Sequence, residues 1–106
     1  SHALALGTLL RLGGADISVF VAPGGRFRYG RDDARAIADA CRAPLGALPA
    51  MFPCPAGGMR YELLPQLARD YGVDSVFLVG GALQAHGPDM LAATRAYRAA
   101  IEAAFP

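Results

Sequence analysis

Hydrophobic positions recur along this chain at helical spacing in some segments and in short unbroken runs in others. From about Asp32 to Arg42, small and apolar side chains share one helical face while charged side chains share the other. A second stripe at helical spacing runs through Pro88–Phe105. These two segments predict amphipathic helices. The first stripe consists of Ala34, Ile37, Ala38 and Cys41, and the second of Met90, Thr94, Tyr97, Ile101 and Phe105.

Two further segments have helical character. Residues Ala3–Leu12 are apolar almost all round, so they predict a buried helix that the double glycine at 13–14 ends. The segment Leu64–Tyr71 predicts a short helix, because Pro65 is favoured in a first helical turn and Gly72 follows the last residue.

Three short runs between these helices predict β-strands. They are Ile17–Val21, Leu48–Pro53 and Ser75–Val79. The third is the clearest, because Val76–Val79 is apolar throughout, as expected for a parallel strand buried on both faces. Strands that alternate with helices predict a parallel sheet joined by right-handed crossovers. The predicted fold class is therefore α/β: a helix followed by three parallel strand–helix units.

The composition narrows the possible functions. The chain has 106 residues, which fits one domain, and 10 basic against 9 acidic residues give a net charge of +1. That balance gives no argument for a nucleic-acid partner or an acidic membrane surface. Every basic residue is arginine, so a lysine Schiff base and a P-loop lysine are excluded. No apolar run reaches the roughly 18 residues of a membrane span. The small number of cysteines predicts a reduced, cytoplasmic setting.

A pair of glycines follows each predicted strand. The pairs are Gly24-Gly25, within a loop predicted from Ala22 to Gly30, then Gly57-Gly58 and Gly80-Gly81. All three come at the carboxyl ends of parallel strands, where α/β proteins place their ligands. Glycine lets backbone N–H groups approach an anion closely, so the pairs predict a phosphate site that needs no lysine. The alternative is that each pair only makes a tight turn between a strand and a helix.

Single residues near these pairs give weaker signals. Arg26 follows the first pair, where it could be a permanently charged donor on the ligand face or a solvated loop residue. His86 lies in the loop after the third strand and is expected to be a surface residue rather than a catalytic one. Cys54 could line a pocket but is better explained as a small buried residue, and Cys41 is expected to pack in the core.

Several short motifs occur together in the second half of the chain: Pro55-Ala56-Gly57-Gly58-Met59, Leu64-Pro65, Tyr71-Gly72-Val73-Asp74, Gly80-Gly81 and His86. Together they resemble the last part of the catalytic barrel of RuBisCO. The stretch from Gly14-Ala15-Asp16 to Gly24-Gly25-Arg26-Phe27 is more similar to the RuBisCO-like proteins, often called form IV. The resemblance implies that residues 1–106 are a carboxyl-terminal portion of a (β/α)8 TIM barrel, its sixth to eighth strand–helix units.

The resemblance also implies a function. Members of that family act on phosphorylated keto sugars by proton abstraction, with an enediolate and Mg²⁺. Backbone amides after the seventh and eighth strands bind a phosphate, which by resemblance assigns Gly57, Gly58, Gly80 and Gly81 to phosphate binding. The family holds Mg²⁺ with a carbamylated lysine and two acids on the second strand, a region that this chain does not contain.

Three departures separate the chain from the true carboxylases. Arg26 stands where the carboxylases have a loop lysine, Ala56 where they have a serine, and Val19 where they have a histidine. The resemblance therefore favours a RuBisCO-like enzyme of enolisation, isomerisation, decarboxylation or transcarboxylation over a CO₂-fixing carboxylase. Arg26 is the candidate catalytic residue that the resemblance gives for this chain.

Other functions stay open on sequence grounds. The chain could be a non-catalytic fragment or module that binds phosphate or only packs with other chains. A small nucleotide-binding domain is weaker, since the spaced-glycine fingerprint after the first strand is absent. Three strands cannot close a barrel of roughly 250 residues. Exposed strand edges beside 54% hydrophobic residues therefore predict a homo-oligomer or an assembly with the remainder of the barrel.

Overall fold

A computed structural model of the chain describes residues 1–22 and 30–105. It contains helices and two strands in alternating order, followed by a run of helices. The loop predicted from Ala22 to Gly30 lies, except for its two ends, outside the described residues. Helix α1 has a π-helical part, Leu4–Thr8, and an α-helical part, Leu9–Leu12; the other elements are β1 Ile17–Val21, α2 Arg31–Arg42, β2 Phe52–Ala56, a 3-10 turn Tyr61–Leu63, α3 Leu64–Tyr71, α4 Gly81–Ala85 and α5 Met90–Ala104.

The sheet is parallel, as predicted. Strands β1 and β2 pair in register from Ile17 opposite Phe52 to Val21 opposite Ala56. Beyond β2, Ala56 also forms a parallel bridge to Leu78 in the segment 75–79. The three chain segments therefore run in the same direction, and their carboxyl ends meet at one edge.

The third strand was predicted as the clearest of the three, and that prediction is wrong in extent. Within the described residues, segment 75–79 has a single bridge and no strand. Two prolines of β2 explain this. The carbonyls of Pro53 and Pro55 accept hydrogen bonds from the amides of Val76 at 3.0 Å and Leu78 at 3.4 Å. Because proline has no N–H, β2 donates no hydrogen bond to segment 75–79 at these positions. Only segment 75–79 donates, so the pairing is too weak to form a regular strand.

The second strand begins later than the predicted Leu48–Pro53. The segment before β2 is held by a helix end instead of a neighbouring strand. The Met51 amide donates to the Cys41 carbonyl at 2.8 Å, and the Arg11 guanidinium binds the carbonyl oxygens of Leu48 and Pro49. The Leu48 and Pro49 carbonyls therefore have a side-chain hydrogen-bond partner and do not pair with a neighbouring strand.

Helix α2 packs its apolar stripe into the core, which confirms the predicted face. Its four stripe residues, Ala34, Ile37, Ala38 and Cys41, are at most 1% exposed. They belong to a cluster with Phe20 of β1 and with residues of α3 and α5. The rings of Phe20 and Tyr71 meet edge to face with centroids 5.9 Å apart. The helices therefore cover one face of the sheet.

Two predictions of helix burial are wrong in part. In α1, Leu4, Leu9 and Leu12 are each more than half exposed, because no described element covers that side of the helix. In α5, Tyr97 of the predicted stripe is buried, but Met90 and Thr94 are exposed. The buried line shifts to Ala93 and Tyr97 because the first turn of α5 extends beyond the core.

The other face of the sheet is uncovered by the described residues. Ile17, Val19, Phe52, Val76 and Leu78 form this open sheet face. Side chains alternate between the two faces of a strand, so these residues point away from the helices. The prediction that Val76–Val79 is buried on both faces is therefore wrong for Val76 and Leu78, which are 37% and 53% exposed.

An ion pair joins α2 to α3 and gives the fold a predicted acid sensitivity. Arg31 donates to both carboxylate oxygens of Asp70, from Nε at 3.0 Å and Nη2 at 2.6 Å. The hydrogen bonds from Arg31 hold the pKa of Asp70 below its ordinary value, against the opposing effect of burial. A lowered pKa in the folded state means that the pair stabilises the protein above about pH 4 and loses this effect as the pH falls further.

Asp70→Asn is accordingly expected to be less stable than the wild type at pH 7, with the difference shrinking as the pH falls below the ordinary aspartate pKa of about 4. Urea unfolding at several pH values measures this. Glu102→Gln is the matched control, because its pair with Arg98 is exposed at both side chains. A difference between Asp70→Asn and wild type that stays constant from pH 7 to pH 3 would contradict the linkage.

Candidate phosphate-binding site

Two of the three glycine pairs line one cavity. Gly57-Gly58 follows β2 and Gly80-Gly81 follows segment 75–79, so both lie at the carboxyl edge of the sheet. The cavity between them has a volume of about 320 Å³. Its remaining lining residues are Ala56, Met59, Leu78 and Ala82. No charged side chain is among these described lining residues, so the backbone forms most of the polar surface.

The Gly57-Gly58 pair has a conformation that favours glycine. The φ angles are +84° at Gly57 and +62° at Gly58, in the left-handed region that L side chains rarely adopt. The Arg60 amide donates to the Gly58 carbonyl at 2.9 Å, which tightens the turn. Chain reversal alone therefore accounts for glycine here, as in the tight-turn alternative.

The Gly80-Gly81 pair is different. Neither residue has a positive φ, and Gly81 is the first residue of α4. A Cβ atom built at either position would have no heavy-atom neighbour within 4 Å. Neither a positive φ nor packing therefore requires glycine at these positions, and Gly80 itself has φ −138° and ψ −84°. Glycine would also let a ligand approach the backbone closely, which agrees with the open space and the absence of a positive φ at both positions.

The backbone polarity of the cavity suits an anion. Within residues 1–22 and 30–105, the amides of Gly58, Gly80 and Gly81 donate no hydrogen bond. The Gly80 carbonyl accepts from the Gln84 amide at 3.1 Å, inside the first turn of α4. Backbone N–H groups that lie at a cavity without a partner inside the protein can bind phosphate or sulfate without a cationic side chain.

The other candidates from the sequence lie elsewhere. Arg26 and the pair Gly24-Gly25 lie outside the described residues. His86 is exposed and stacks edge to face on Tyr61, with ring centroids 5.0 Å apart, outside the glycine cavity. Burial raises the pKa of both cysteine thiols, Cys41 in the core and Cys54 in β2. The thiolate is the reactive form of cysteine, so both thiols are disfavoured as nucleophiles.

One hydrogen bond at the site was not predicted from the sequence. The Tyr97 hydroxyl donates to the Met59 carbonyl, and Met59 directly follows the second glycine pair. The stripe through α5 predicted only that Tyr97 packs in the core. The available signal was the residue type, because a buried tyrosine hydroxyl usually has a hydrogen-bond partner.

A magnesium site does not form from the residues that the structure describes. No three histidine, cysteine, aspartate or glutamate side chains among them come together as metal ligands. The described residues therefore do not fit the Mg²⁺ that the resemblance implies.

Among residues 1–22 and 30–105, no helix is both long and apolar enough to cross a membrane.

Comparison with known proteins identifies relatives along nearly the whole chain. No protein-family model matches it. The chain is 41% identical over 98 residues to a 5-methylthioribulose-1-phosphate isomerase of Rhodospirillum rubrum, covering 92% of this chain and 26% of the relative. It is 38% identical over 103 residues to a 2,3-diketo-5-methylthiopentyl-1-phosphate enolase of Bacillus cytotoxicus, covering 97% of this chain and 25% of that protein.

Solved structures give the same result. A RuBisCO-like protein of Alicyclobacillus acidocaldarius superposes with a TM-score of 0.83 at 34% identity, covering 98% of this chain and 27% of that structure. The octameric RuBisCO of Pyrococcus horikoshii, in complex with sulfate, gives a TM-score of 0.84 at 30% identity over 95% of this chain and 24% of that structure. The fold is thus an α/β unit of the kind found within RuBisCO.

The chain is homologous to RuBisCO-like proteins, and the match covers the carboxyl-terminal part of those larger proteins. The chain spans about a quarter of the length of the curated relatives described above.

Proposed function

We propose that this chain supplies the phosphate-binding part of a RuBisCO-like enzyme that isomerises or enolises a phosphorylated keto sugar or sugar acid. The observation that carries the proposal is the convergence of Gly57-Gly58 and Gly80-Gly81 on one cavity. Both relatives described above are named for substrates that carry a single phosphate ester at carbon 1. One backbone-lined anion site matches that feature, and CO₂ fixation is not proposed.

The phosphate would be the group by which the protein binds and positions the substrate. Amides of the two glycine pairs would donate to its oxygens and fix its position, which lowers the entropic cost of bringing the keto group to the reacting residues. No lysine is needed, because the amides supply the positive electrostatic potential. The proton-transfer groups would come from sequence outside this chain, with Arg26 as the one proposed contribution from within it.

Arg26 is proposed as an electrostatic residue. It follows β1, whose carboxyl end lies beside that of β2 in the sheet. A guanidinium stays protonated across the physiological pH range, so Arg26 could stabilise a developing negative charge but could not serve as a general base. Mg²⁺ is proposed only for the whole enzyme, with ligands from outside this chain.

The larger assembly is also part of the proposal. Residues 1–106 would be the sixth to eighth strand–helix units of a (β/α)8 barrel. The remainder of that barrel, or a second copy of the chain, would cover the open sheet face. Association is favoured because five apolar side chains there are uncovered by the described residues. A cytoplasmic location stays a prediction from the cysteine content.

Substitution at the third glycine pair tests the site. In Gly81→Val, the side chain would enter space that is open in the wild type, so the fold should persist while phosphate is blocked. Inorganic phosphate is expected to raise the Tm of the wild-type protein by several degrees at about 100 times its Kd. Differential scanning calorimetry should show no such shift for Gly81→Val.

Gly87→Val is the matched control for this experiment. Gly87 also has open space at its Cβ position and no positive φ, but it does not line the glycine cavity. Its phosphate-dependent shift should equal that of the wild type. Equal shifts in all three proteins would refute phosphate binding at Gly81.

Turnover separates the enzyme from a non-catalytic phosphate-binding module. The enzyme exchanges a carbon-bound proton of its sugar phosphate with solvent during enolisation, whereas a binding module does not. Deuterium incorporation into 5-methylthioribulose-1-phosphate, followed by NMR in the presence of Mg²⁺, distinguishes the two. Phosphate binding without exchange would assign the catalytic activity to the larger protein only.

A further inference from the structure

A buried hydrogen bond ties helix α5 to the loop formed by Gly57, Gly58 and Met59. The Tyr97 hydroxyl donates to the carbonyl oxygen of Met59 at 2.9 Å. Tyr97 is 5% exposed and Met59 is 1% exposed, so water does not replace this bond. Met59 is the residue that directly follows Gly57 and Gly58 and lines the same cavity. We infer that Tyr97 is a positioning residue that holds the Gly57–Met59 loop in the conformation that binds phosphate; the inference rests on the proposed function.

The loop has few other means of holding its shape. Gly57 and Gly58 have no side chains to pack, and their positive φ angles are accessible to glycine without fixing a single state. Met59 is the first residue after the pair with a side chain in the core. With the Met59 carbonyl bound to Tyr97 and the Gly58 carbonyl bound to the Arg60 amide, both carbonyl groups have partners within the protein. Because each peptide unit is planar, these two bonds fix the orientation of the Met59 and Arg60 amides. The amide of Gly57 shares its peptide plane with the Ala56 carbonyl, which accepts from the Ala22 amide at 2.7 Å. The loop is therefore held at both of its ends.

The tyrosine ring is itself held in place. Tyr61 and His86 pack on it edge to face, with ring centroids 5.9 Å and 6.2 Å from that of Tyr97. These three residues line a second cavity of about 370 Å³, and Ala82 lines both this cavity and the glycine cavity. Burial raises the pKa of the Tyr97 hydroxyl, so it remains a protonated donor at neutral pH. Tyr97 thus fixes one wall of the phosphate cavity from the adjoining cavity.

A structural role alone and a positioning role predict different results. If the hydrogen bond only stabilises the fold, its loss lowers the Tm and leaves the phosphate affinity unchanged. If it positions the loop, its loss must also weaken phosphate binding. Tyr97→Phe removes only the hydroxyl oxygen and keeps the aromatic ring, and is expected to raise the Kd for inorganic phosphate about fivefold.

Isothermal titration of the whole protein with inorganic phosphate measures this change. Tyr61→Phe is the matched control, because the Tyr61 ring belongs to the same aromatic cluster but its hydroxyl makes no hydrogen bond among the described residues. It should keep the wild-type Kd. An unchanged Kd in Tyr97→Phe would overturn the positioning role while leaving the proposed function intact. Absence of phosphate binding by the wild type would instead overturn the proposed function and this inference with it.

A second measurement keeps the inference testable if Tyr97→Phe does not fold. With 3-fluorotyrosine incorporated into the otherwise wild-type protein, phosphate should shift the fluorine resonance of Tyr97, whose hydroxyl contacts the loop. The resonance of Tyr71, whose ring packs on Phe20, should not move. A Tyr97 resonance that stays fixed while phosphate binds would overturn the positioning role.

Discussion

Replacing Arg11 with methionine is expected to lower the free energy of unfolding by about 3 to 5 kcal/mol, because a buried network of charge-assisted hydrogen bonds is lost. Arg11 is 4% exposed. Its Nη1 donates to the carbonyls of Ala40 and Ala43 at 3.0 and 2.5 Å, and its Nη2 to those of Leu48 and Pro49 at 3.4 and 3.2 Å. Its positive charge also faces the negative end of the α2 dipole. One side chain thereby joins α1, the end of α2 and the chain that leads to β2.

Urea unfolding at pH 7 measures the loss. Arg11→Lys should be intermediate, since an ammonium carries a charge but cannot span four carbonyls as the guanidinium does. Arg95→Met is the control, because Arg95 is exposed on α5. A loss below about 1 kcal/mol in Arg11→Met would show that water or a shifted loop replaces these bonds.

The open sheet face is expected to give the second large effect. Wild-type protein should associate, either with itself or with the remainder of the proposed barrel, because Val19, Phe52 and Leu78 are 54%, 46% and 53% exposed on adjoining segments of the sheet. Val19→Asp places a charge within this apolar face, in the middle of strand β1. Burying it would cost about 3 kcal/mol, so association should weaken roughly 100-fold.

Light scattering over a range of protein concentrations measures this association. Leu91→Asp is the matched control, since Leu91 is 60% exposed but lies in the first turn of α5, where an acidic residue is favourable. Its association should equal that of the wild type. A wild-type protein that remains monomeric at every concentration, alone and with the rest of the barrel, would contradict the role given to this face.

Features that depend on local pattern were predictable from the sequence. The α2 stripe of Ala34, Ile37, Ala38 and Cys41 is periodic over three turns, and helical spacing alone selects the buried face. The approach of Gly57-Gly58 to Gly80-Gly81 followed from topology. Parallel strands bring their carboxyl ends together, so turns that follow two adjacent strands must be neighbours.

Features that depend on a specific partner were not predictable. Segment 75–79 has a strand composition, but Pro53 and Pro55 in the adjacent strand supply no N–H donors to it, and this appears only once the neighbour is known. Arg11 lies in a segment that was predicted only as an apolar buried helix, yet it bonds to four carbonyls from distant positions. The exposed leucines of α1 show that apolar composition does not specify which surface covers a helix.

The two glycine pairs also differ in what they reveal about the site. Gly57-Gly58 is explained by its positive φ angles, whether or not a ligand binds. Gly80-Gly81 has neither a positive φ nor a close neighbour, so it is the pair whose glycines bear on function. The sequence alone could not separate them, because both read as Gly-Gly after an apolar run.

The central claim is that backbone amides of these two pairs bind phosphate, and amide chemical shifts test it most directly. Inorganic phosphate should be titrated into ¹⁵N-labelled protein at constant pH and ionic strength. The account predicts that the largest and saturable shifts occur at Gly57, Gly58, Gly80 and Gly81, the residues that line the cavity. Shifts confined to amides elsewhere in the chain, or no saturable shift at any amide, would contradict it.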